Sequence, residues 1–249
     1  MASEPPVEQG ACHLATKHVA FESSGRKIEL VLPADDAYVL NEIFNGQCYK
    51  PVPGVPPPRV VLDIGANVGL AATYFRLTYP EALIHCVEPD PVAWSLLAQN
   101  AARIGNCRLH NVGLYEGDGE RPFYAATNSV MSSLARNPGA QAAASVLTLR
   151  DAGRFAAGLG VERFDLIKID TEGAEVPILR SLGGFLAEAA IVHMEFHSRE
   201  DRRAIDDLMN PTHCLYNGVI ESAHRGHFTY VANALAPREI GVAALSVER

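Results

Sequence analysis

The stretch that decides the fold is Leu62-Asp63-Ile64-Gly65-Ala66-Asn67-Val68-Gly69. An apolar segment beginning at Val60 runs directly into this glycine-containing turn, and a helix is predicted to follow at about residues 68–77. Small residues at such a turn let a ligand approach the backbone, and the unpaired amides at the helix start favour a negative group such as a carboxylate. Three residues separate Gly65 from Gly69, a spacing that departs from GxGxxG and weakens a dinucleotide interpretation.

Beyond this turn, short apolar runs alternate with amphipathic segments, a pattern typical of βαβ units around a mostly parallel sheet. The predicted strands are residues 60–64, 83–87, 107–112, 166–169 and 191–196. A helix is predicted at residues 91–104, with Asp90 as its N-cap. The last predicted element is a hairpin formed by residues 214–220 and 228–232. The long stretch 113–159 shows only a turn at 117–119 and a weakly helical segment at 140–144.

The N-terminal region has a different composition. Its first twenty or so residues are polar and aperiodic, residues 27–32 alternate enough for a strand, and residues 35–44 predict a short helix. Residues 50–59 contain five prolines and a glycine, which favours an extended linker. We therefore predict an N-terminal cap with its proline-rich linker at residues 1–58 and a second domain at residues 59–249.

An acidic residue ends the second predicted strand, in Val87-Glu88-Pro89-Asp90-Pro91. Glu88 lies 23 residues beyond Gly65, where a carboxylate can accept both ribose hydroxyls of an adenosine-containing ligand, NAD or S-adenosylmethionine. The alternative role for an acid at this position is capping the next helix. We assign that role to Asp90 and ribose binding to Glu88.

Three carboxylates follow the fourth predicted strand: Asp170, Glu172 and Glu175. Such crowding at the mouth of a parallel sheet is costly unless a cation, a shared proton or a substrate hydroxyl relieves it, which points to chemistry. Glu172 and Glu175 also suit the first turn of a helix, where acids interact favourably with the helix dipole. For Glu175 the two interpretations are evenly balanced.

The fifth predicted strand carries His193, Glu195 and His197 on one face. This strand is expected beside the fourth, so that Glu195 and His197 could meet Asp170. An imidazole oriented by a carboxylate can take a proton from a hydroxyl near neutral pH, which makes His197 the best candidate general base. A divalent metal such as Mg²⁺ bound by Asp170, Glu195 and His197, or a structural role for His197, are the alternatives. His193 lies deeper and is predicted to be a satisfied core residue.

The segments LDIGANVG, VEPDP, IKIDTEGAE and HMEFH, in this order, resemble the motif series of FkbM-type methyltransferases over residues 35–196. The resemblance implies an α/β fold: a Rossmann-like seven-stranded, mostly parallel methyltransferase sheet with helices on both faces and a small N-terminal cap. It also implies S-adenosylmethionine as the methyl donor of a domain at residues 59–249. The usual acceptor in the family is a hydroxyl of a sugar, polyketide or other secondary metabolite.

The same resemblance implies the roles of individual residues. Those holding the methionine end of the donor are Asp63, Gly65, Asn67 and Gly69, and Glu88 holds the ribose. The other predicted cofactor-binding residues are Ala66, Pro89, Asn111, Gly113 and Asp170. Asp170, Glu195 and His197 are predicted to assist in-line methyl transfer, and the predicted substrate-binding residues are Ser132, Ser133 and Glu172. The chain has Asn-Val-Gly-Leu at 111–114 where relatives have Asn-x-Ala-Leu, and Asp-Thr-Glu-Gly at 170–173 where they have Asp-Val-Glu-Gly.

The composition of the chain limits which classes of partner are expected. A net charge of −8 provides no basic excess for neutralising phosphates, so nucleic acid is not an expected partner. The five cysteines are scattered and form no CxxC pair, which is typical of reduced thiols. No secretory signal and no apolar run of about 18 residues occur, so we expect a cytoplasmic protein with no membrane partner. The rival functions are a nicotinamide-dependent oxidoreductase and a cofactor-binding module without catalysis.

Overall fold

The computed structural model describes residues 15–23, 25–34, 37–45, 48–123 and 145–236. Its strands are Thr16–Ser23 (β1), Arg26–Pro33 (β2), Val60–Ile64 (β3), Leu83–Val87 (β4), Cys107–His110 (β5), Gly113–Tyr115 (β6), Gly119–Phe123 (β7), Ser145–Asp151 (β8), Leu166–Ile169 (β9), Ile191–Phe196 (β10), His213–Ile220 (β11) and Gly226–Ala232 (β12). Its helices are Ala37–Leu40 (α1), Leu70–Thr78 (α2), Pro91–Ile104 (α3), Ala152–Gly158 (α4), Glu175–Leu182 (α5), Gly184–Glu188 (α6) and Arg199–Met209 (α7). A π-helical turn, Asn41–Asn45, follows α1.

The main sheet has seven strands in the order β11-β12-β10-β9-β3-β4-β5. The five strands from β10 to β5 are parallel, whereas β12 runs antiparallel to both β10 and β11. Both faces of the sheet are covered, as the alternation along β3 shows: Val61 belongs to a core cluster that includes residues of α2 and α3, and Leu62 to one that includes residues of α4, α5 and α7. The α/β class with a mostly parallel seven-stranded sheet is therefore confirmed.

Most of the predicted elements agree closely with this structure. The strands predicted at 60–64, 83–87, 166–169 and 191–196 and the helix at 91–104 have the observed bounds, and the carboxylate of Asp90 caps α3 by accepting from the amides of Val92 and Ala93. The helix predicted from residue 68 begins at Leu70 instead, because Gly69 has a φ of 96° and interrupts helical geometry. The weak helix predicted at residues 140–144 falls outside the described residues.

Two parts of the described chain contain more structure than predicted. Strand β1 pairs with β2 although its residues were expected to be aperiodic; alternate side chains along β1 are half-buried against the core. Within residues 113–159, β6, β8 and β7 form a separate three-stranded sheet, and α4 follows. Its central strand, β8, pairs in parallel with β6 and antiparallel with β7.

The β1–β2 hairpin is attached to the main sheet through Asn100 of α3, a fully buried side chain. The Asn100 amide accepts from the backbone N–H of Val31 at 2.9 Å and donates to its carbonyl at 3.0 Å. It also donates to the carbonyl of Val68, in the turn after β3, at 2.8 Å. The cap thus packs directly on the sheet layer, and the domain boundary expected in the proline-rich segment stays a prediction.

The register of the parallel strands brings their carboxyl ends to one edge. Ile64 at the end of β3 pairs with Ile169 at the end of β9, which pairs with Met194 of β10. The residues that follow these strands, together with Glu88 after β4, therefore lie near one another, where ligands bind in open parallel sheets. In the described part of the chain, no helix combines the length and apolar character needed to span a bilayer.

Candidate active site

A pocket opens at this edge of the sheet. Its lining comes from the segments that follow four parallel strands: residues 65–68 after β3, 88–90 after β4, 112–114 after β5 and 170–172 after β9. Three side chains of the N-terminal cap also line it, namely Val39, Ile43 and Tyr49. The pocket is therefore apolar where the cap, β6 and β8 contribute and acidic where β4 and β9 end.

Gly65 lies where the end of β9 approaches the turn after β3. Its φ is 79°, and a Cβ at this position would overlap the carbonyl oxygen of Asp170. The amides of Gly65 and Ala66 both donate to the carbonyl of Val87 at 3.0 Å, which ties the turn to β4. Glycine is thus required here for strand packing as well as for a positive φ. Gly69 faces away from the pocket, because a Cβ there would contact Leu97 and Ile104 of α3.

The carboxylate of Glu88 is fixed by two backbone amides. Its Oε2 accepts from the N–H of Asn67 at 2.8 Å and its Oε1 from the N–H of Asp90 at 2.7 Å. Asn67 has a φ of 48°, a left-handed conformation that asparagine tolerates better than most residues and that aims its amide at Glu88. Burial raises the pKa of Glu88 to about 7, so a substantial fraction of the carboxyl is ionised at neutral pH. Asn111 supports this segment from behind by donating to the Glu88 carbonyl at 2.8 Å.

A lysine that the sequence reasoning missed stands between two of the predicted acids. Lys168 Nζ lies 3.2 Å from Asp63 Oδ1 and 3.5 Å from Asp170 Oδ2, and donates to the carbonyl of Gly65 at 2.6 Å. Asp63 is fully buried, and burial raises its pKa, an effect that Lys168 opposes. Burial also works against charge on Lys168, but the two carboxylates outweigh it and raise the lysine pKa. A single lysine inside the apolar run Leu166–Ile169 was the available signal.

His197 lies among three carboxylates. Its Nε2 is 3.1 Å from Glu172 Oε2 and 3.4 Å from Glu195 Oε1, and its Nδ1 is 3.3 Å from Glu175 Oε1. Burial disfavours charge on this imidazole, but the three acids outweigh that cost and raise its pKa far above the ordinary value. The imidazole is therefore held protonated at neutral pH. Glu175 is itself fixed, because it accepts from the amides of Thr171 and Gly173.

Glu195 has a second cationic neighbour, Arg225, which the sequence reasoning did not place in the site. Arg225 Nε lies 2.6 Å from Glu195 Oε1, and its Nη2 is 3.7 Å from Glu172 Oε1. Burial, followed by the nearby charge of Asp170, raises the pKa of Glu195 to about 8. Burial also acts to raise the pKa of Asp170, but Lys168, Glu195 and the two nearby histidines together outweigh it and lower that pKa. The two acids therefore differ strongly in their affinity for a proton.

His193 is buried in the core, as predicted, but only one of its ring nitrogens is satisfied, because its Nε2 has no hydrogen-bond partner among the described residues. Its Nδ1 is 3.0 Å from the hydroxyl of Thr229, and its ring packs on Tyr49 and Phe75. Burial lowers its pKa to about 3, so the imidazole is neutral.

The predicted residues fall into three groups by position. Those that line the pocket are Gly65, Ala66, Asn67, Glu88, Pro89, Gly113, Asp170 and Glu172. Those that lie behind it and hold the lining in place are Asp63, Gly69 and Asn111. His197 contacts both Glu172 and Glu195, and ligand atoms of all three lie within 4.8 Å of one of Asp170, at one end of the pocket. The predicted substrate-binding pair Ser132 and Ser133 lies outside the described residues.

The chain resembles known methyltransferases in sequence. It is 27% identical over 177 residues to methyltransferase sdnD of Sordaria araneosa, which covers 58% of this chain and 68% of the relative. It is 27% identical over 175 residues to 2-O-methyltransferase NoeI of Sinorhizobium fredii (61% of this chain, 72% of the relative). A shorter match, 32% over 81 residues, is to 31-O-demethyl-FK506 methyltransferase FkbM of Streptomyces tacrolimicus, covering 32% of this chain and 31% of the relative.

Comparison with solved structures supports the fold. A chain in the fibrillarin/Nop5p complex superposes with a TM-score of 0.50 at 14% identity, covering 78% of this chain and 80% of that one. The family model of the methyltransferase FkbM domain matches residues 63–222, a region that runs from the end of β3 through the His197 cluster to just beyond β11. With more than half of its length matched in this way, the chain belongs to the FkbM family of S-adenosylmethionine-dependent methyltransferases.

Proposed function

We propose that the protein transfers a methyl group from S-adenosylmethionine to a hydroxyl of a small molecule such as a sugar, a polyketide or another secondary metabolite. Two relatives bear names that specify O-methylation, which supports the reaction type. The observation that carries the proposal is the position of Asp170, which lines the pocket and has a carboxylate oxygen within 4.8 Å of one of Glu195.

The pocket suits the donor along its whole length. Leu114, Leu147 and Leu149 offer an apolar surface for a purine, and Glu88 lies between them and the turn at Gly65, where it can accept from ribose hydroxyls. The acidic end at Asp170 suits the positive charge of a sulfonium and an ammonium group. When bound, the donor supplies an electrophilic methyl group on sulfur, so that the protein needs to align the acceptor hydroxyl and accept its proton.

The acidic pair gives a route for that proton. Burial and the charge of Asp170 favour the neutral form of Glu195, whereas Lys168 and the other groups around Asp170 together favour its ionised form. The side chain of Asp170 is 29% exposed, so it can meet an acceptor hydroxyl in the pocket. We therefore assign proton acceptance to Asp170, with Glu195 as its buried partner. A protonated His197 has no lone pair for this task, so its use as general base requires that it first lose a proton.

The positive charges of His197 and Arg225 affect whether Asp170, Glu195 and His197 would bind a metal ion. These side chains and Glu172 each offer a ligand atom within 4.8 Å of the others, which is compatible with an ion. However, the two cations already supply positive charge to Glu172 and Glu195. We therefore propose methyl transfer that does not require Mg²⁺. Activity that is the same with and without added Mg²⁺ is the expected result, and activity that depends on added Mg²⁺ would contradict it.

The decisive experiment measures transfer of a radiolabelled methyl group from S-adenosylmethionine to panels of monosaccharides and hydroxylated polyketides. Once an acceptor is found, Asp170→Asn should lower kcat by at least about a hundredfold, a size typical of losing a general base. Asp207→Asn, at an exposed position on α7, is the matched control and should leave kcat unchanged. Full activity of Asp170→Asn would contradict the assignment, and a loss confined to His197→Gln would transfer the role to His197.

The two rival functions predict different ligand behaviour. An oxidoreductase should be stabilised against heat by NAD and a methyltransferase by S-adenosylhomocysteine; a ligand at 100 times its Kd adds about 2.7 kcal/mol to the unfolding free energy. A non-catalytic module should bind S-adenosylhomocysteine and transfer no methyl group to any member of the panels. The net charge of −8 disfavours a nucleic-acid acceptor, and adding RNA and DNA oligonucleotides to the panels tests that prediction.

A further inference from the structure

A second cluster of ligand-type side chains lies beside the active site and takes no part in the proposed reaction. It consists of Glu42 in the π-helical turn, Cys48 in the loop that follows, and His227 on β12. Each offers one atom, a carboxylate oxygen, a sulfur or a ring nitrogen, and these atoms lie within 4.8 Å of one another. Cys48 and His227 are buried, and the Glu42 side chain is 12% exposed. The three residues come from two regions of the chain that are 179 residues apart at their nearest, from Cys48 to His227.

The arrangement at His227 is hard to satisfy with protons alone. Its Nε2 is in direct contact with Glu42 Oε1 and lies 2.9 Å from Glu221 Oε1. A ring nitrogen carries a single proton and can donate it well to one oxygen, yet two carboxylates converge on this atom. Glu42 Oε1 is buried and receives no hydrogen bond of acceptable geometry among the described residues. This oxygen contacts His227 without a good hydrogen bond, and a buried oxygen in that position is stabilised by a further partner.

A divalent cation would contact all three members of the cluster at once. It would bind the lone pair of the His227 nitrogen, an oxygen of Glu42 and the sulfur of Cys48, whose thiol proton, now donated to the Glu42 carbonyl at 3.2 Å, would be released. Mixed sulfur, nitrogen and oxygen donors select zinc over Mg²⁺ or Ca²⁺, which prefer oxygen. We propose that Glu42, Cys48 and His227 form a zinc site, with the fourth position open to water.

The position of the site gives it a structural consequence. Ile43 and Tyr49, the neighbours of two of the ligands in the chain, line the donor pocket. His227 and Glu221 belong to the hairpin end that also carries Arg225, the neighbour of Glu195. A zinc ion would therefore fasten the cap side of the pocket to the hairpin that supports the acidic cluster.

The test is the metal content of the full-length protein, purified with a cleavable tag that contains no histidine and without chelators. We expect about one zinc per chain by inductively coupled plasma mass spectrometry. After replacement of zinc by Co²⁺, we expect a thiolate-to-cobalt charge-transfer absorption band. Cys48→Ser should abolish that band and lower zinc affinity at least tenfold, and His227→Gln should also lower zinc affinity. Cys214→Ser, which changes a half-buried thiol on β11 outside the cluster, is the matched control and should retain both signals.

Two results would overturn the proposal. One is wild-type protein that binds no zinc even after dialysis against zinc, in which case the cluster is a buried histidine paired with two acids. The other is zinc binding of wild-type strength in both Cys48→Ser and His227→Gln, which would place the ion elsewhere, such as at Asp170 and its neighbours. Circular dichroism and S-adenosylhomocysteine calorimetry of each variant verify folding. Since zinc content is measured without donor or acceptor, its outcome is independent of the proposed methyl transfer.

Discussion

Replacing Glu88 by glutamine changes the group expected to hold the donor ribose while keeping its size. In the structure, both carboxylate oxygens accept from backbone amides, at 2.8 Å from Asn67 and 2.7 Å from Asp90. A glutamine must turn its NH₂ group towards one of these donors, which removes that bond and disturbs the turn. The ribose also loses a charge-assisted acceptor. A hydrogen bond to a charged group is worth about 1.5–3 kcal/mol, so S-adenosylhomocysteine should bind roughly 10- to 150-fold more weakly.

The pH dependence of binding gives a second measurement on the same residue. The pKa of Glu88 in the donor-free protein is about 7, raised by burial. If the ionised form accepts from the ribose, calorimetry should show affinity about tenfold weaker at pH 6 than at pH 8, because the ionised fraction changes by about that factor. The contribution of Glu88 to the free energy of unfolding has the opposite pH dependence. A carboxyl whose pKa is raised by folding stabilises the protein below about pH 4.5, and this contribution is lost as the pH rises through 7.

Glu81→Gln, at an exposed position between α2 and β4, is the matched control for this experiment and should bind the ligand like the wild type across the pH range. The reasoning is refuted if Glu88→Gln binds S-adenosylhomocysteine within threefold of the wild type. It is equally refuted if the variant keeps the wild-type pH dependence, since another group would then be responsible for it.

Three further substitutions test the framework by urea denaturation. Gly65→Ala should lower the free energy of unfolding by about 3 kcal/mol or more, because its Cβ overlaps the Asp170 carbonyl. Gly54→Ala, with φ 82° but open space around it, should lower it by only about 1 kcal/mol. Equal losses would contradict the packing argument. Lys168→Met should cost about 3 kcal/mol by leaving two acids without their cation, and an unchanged midpoint would contradict this. Arg76→Met should cost about 3 kcal/mol, since the buried guanidinium donates to five backbone carbonyls near the ends of α2 and α3; a loss under 1 kcal/mol would disprove its bridging role.

The sheet was largely predictable because its strands are short, buried and bounded by clear breakers. The run from Val60 to Ile64 ends at a glycine turn, and Asp90 with Pro91 marks the start of α3 without ambiguity. Because the fifth predicted strand, β10, was expected beside the fourth, β9, the meeting of Asp170 with Glu195 and His197 was also expected.

The elements that the sequence did not reveal depend on contacts between distant segments. Strand β1 has a polar, weakly patterned sequence and is ordered by pairing with β2 along its whole length. Arg225 lies in a turn with no recognisable motif, and its contact with Glu195 follows from the antiparallel pairing of β12 with β10. Composition and periodicity describe neighbours in sequence, and they do not encode which distant side chain approaches a given charge.

The protonation of His197 was the least accessible feature. From sequence, a histidine beside one carboxylate suggests a base near neutral pH, whereas the structure surrounds this imidazole with Glu172, Glu175 and Glu195. Each acid shifts the pKa in the same direction, so their number decides the charge. The use of His197 as general base remains a prediction that the variant kinetics test.

The three hydrogen bonds of Asn100 join the cap, α3 and the turn at Val68 through a single amide group. Its NH₂ is shared between two carbonyls on different segments, so an aliphatic replacement such as Asn100→Leu removes both attachments at once. Loosening the hairpin should therefore speed amide hydrogen exchange in the turn at residues 65–69, although no residue of β1 or β2 is among those that line the pocket. Variants truncated at the amino terminus should lose ligand affinity before they lose their sheet.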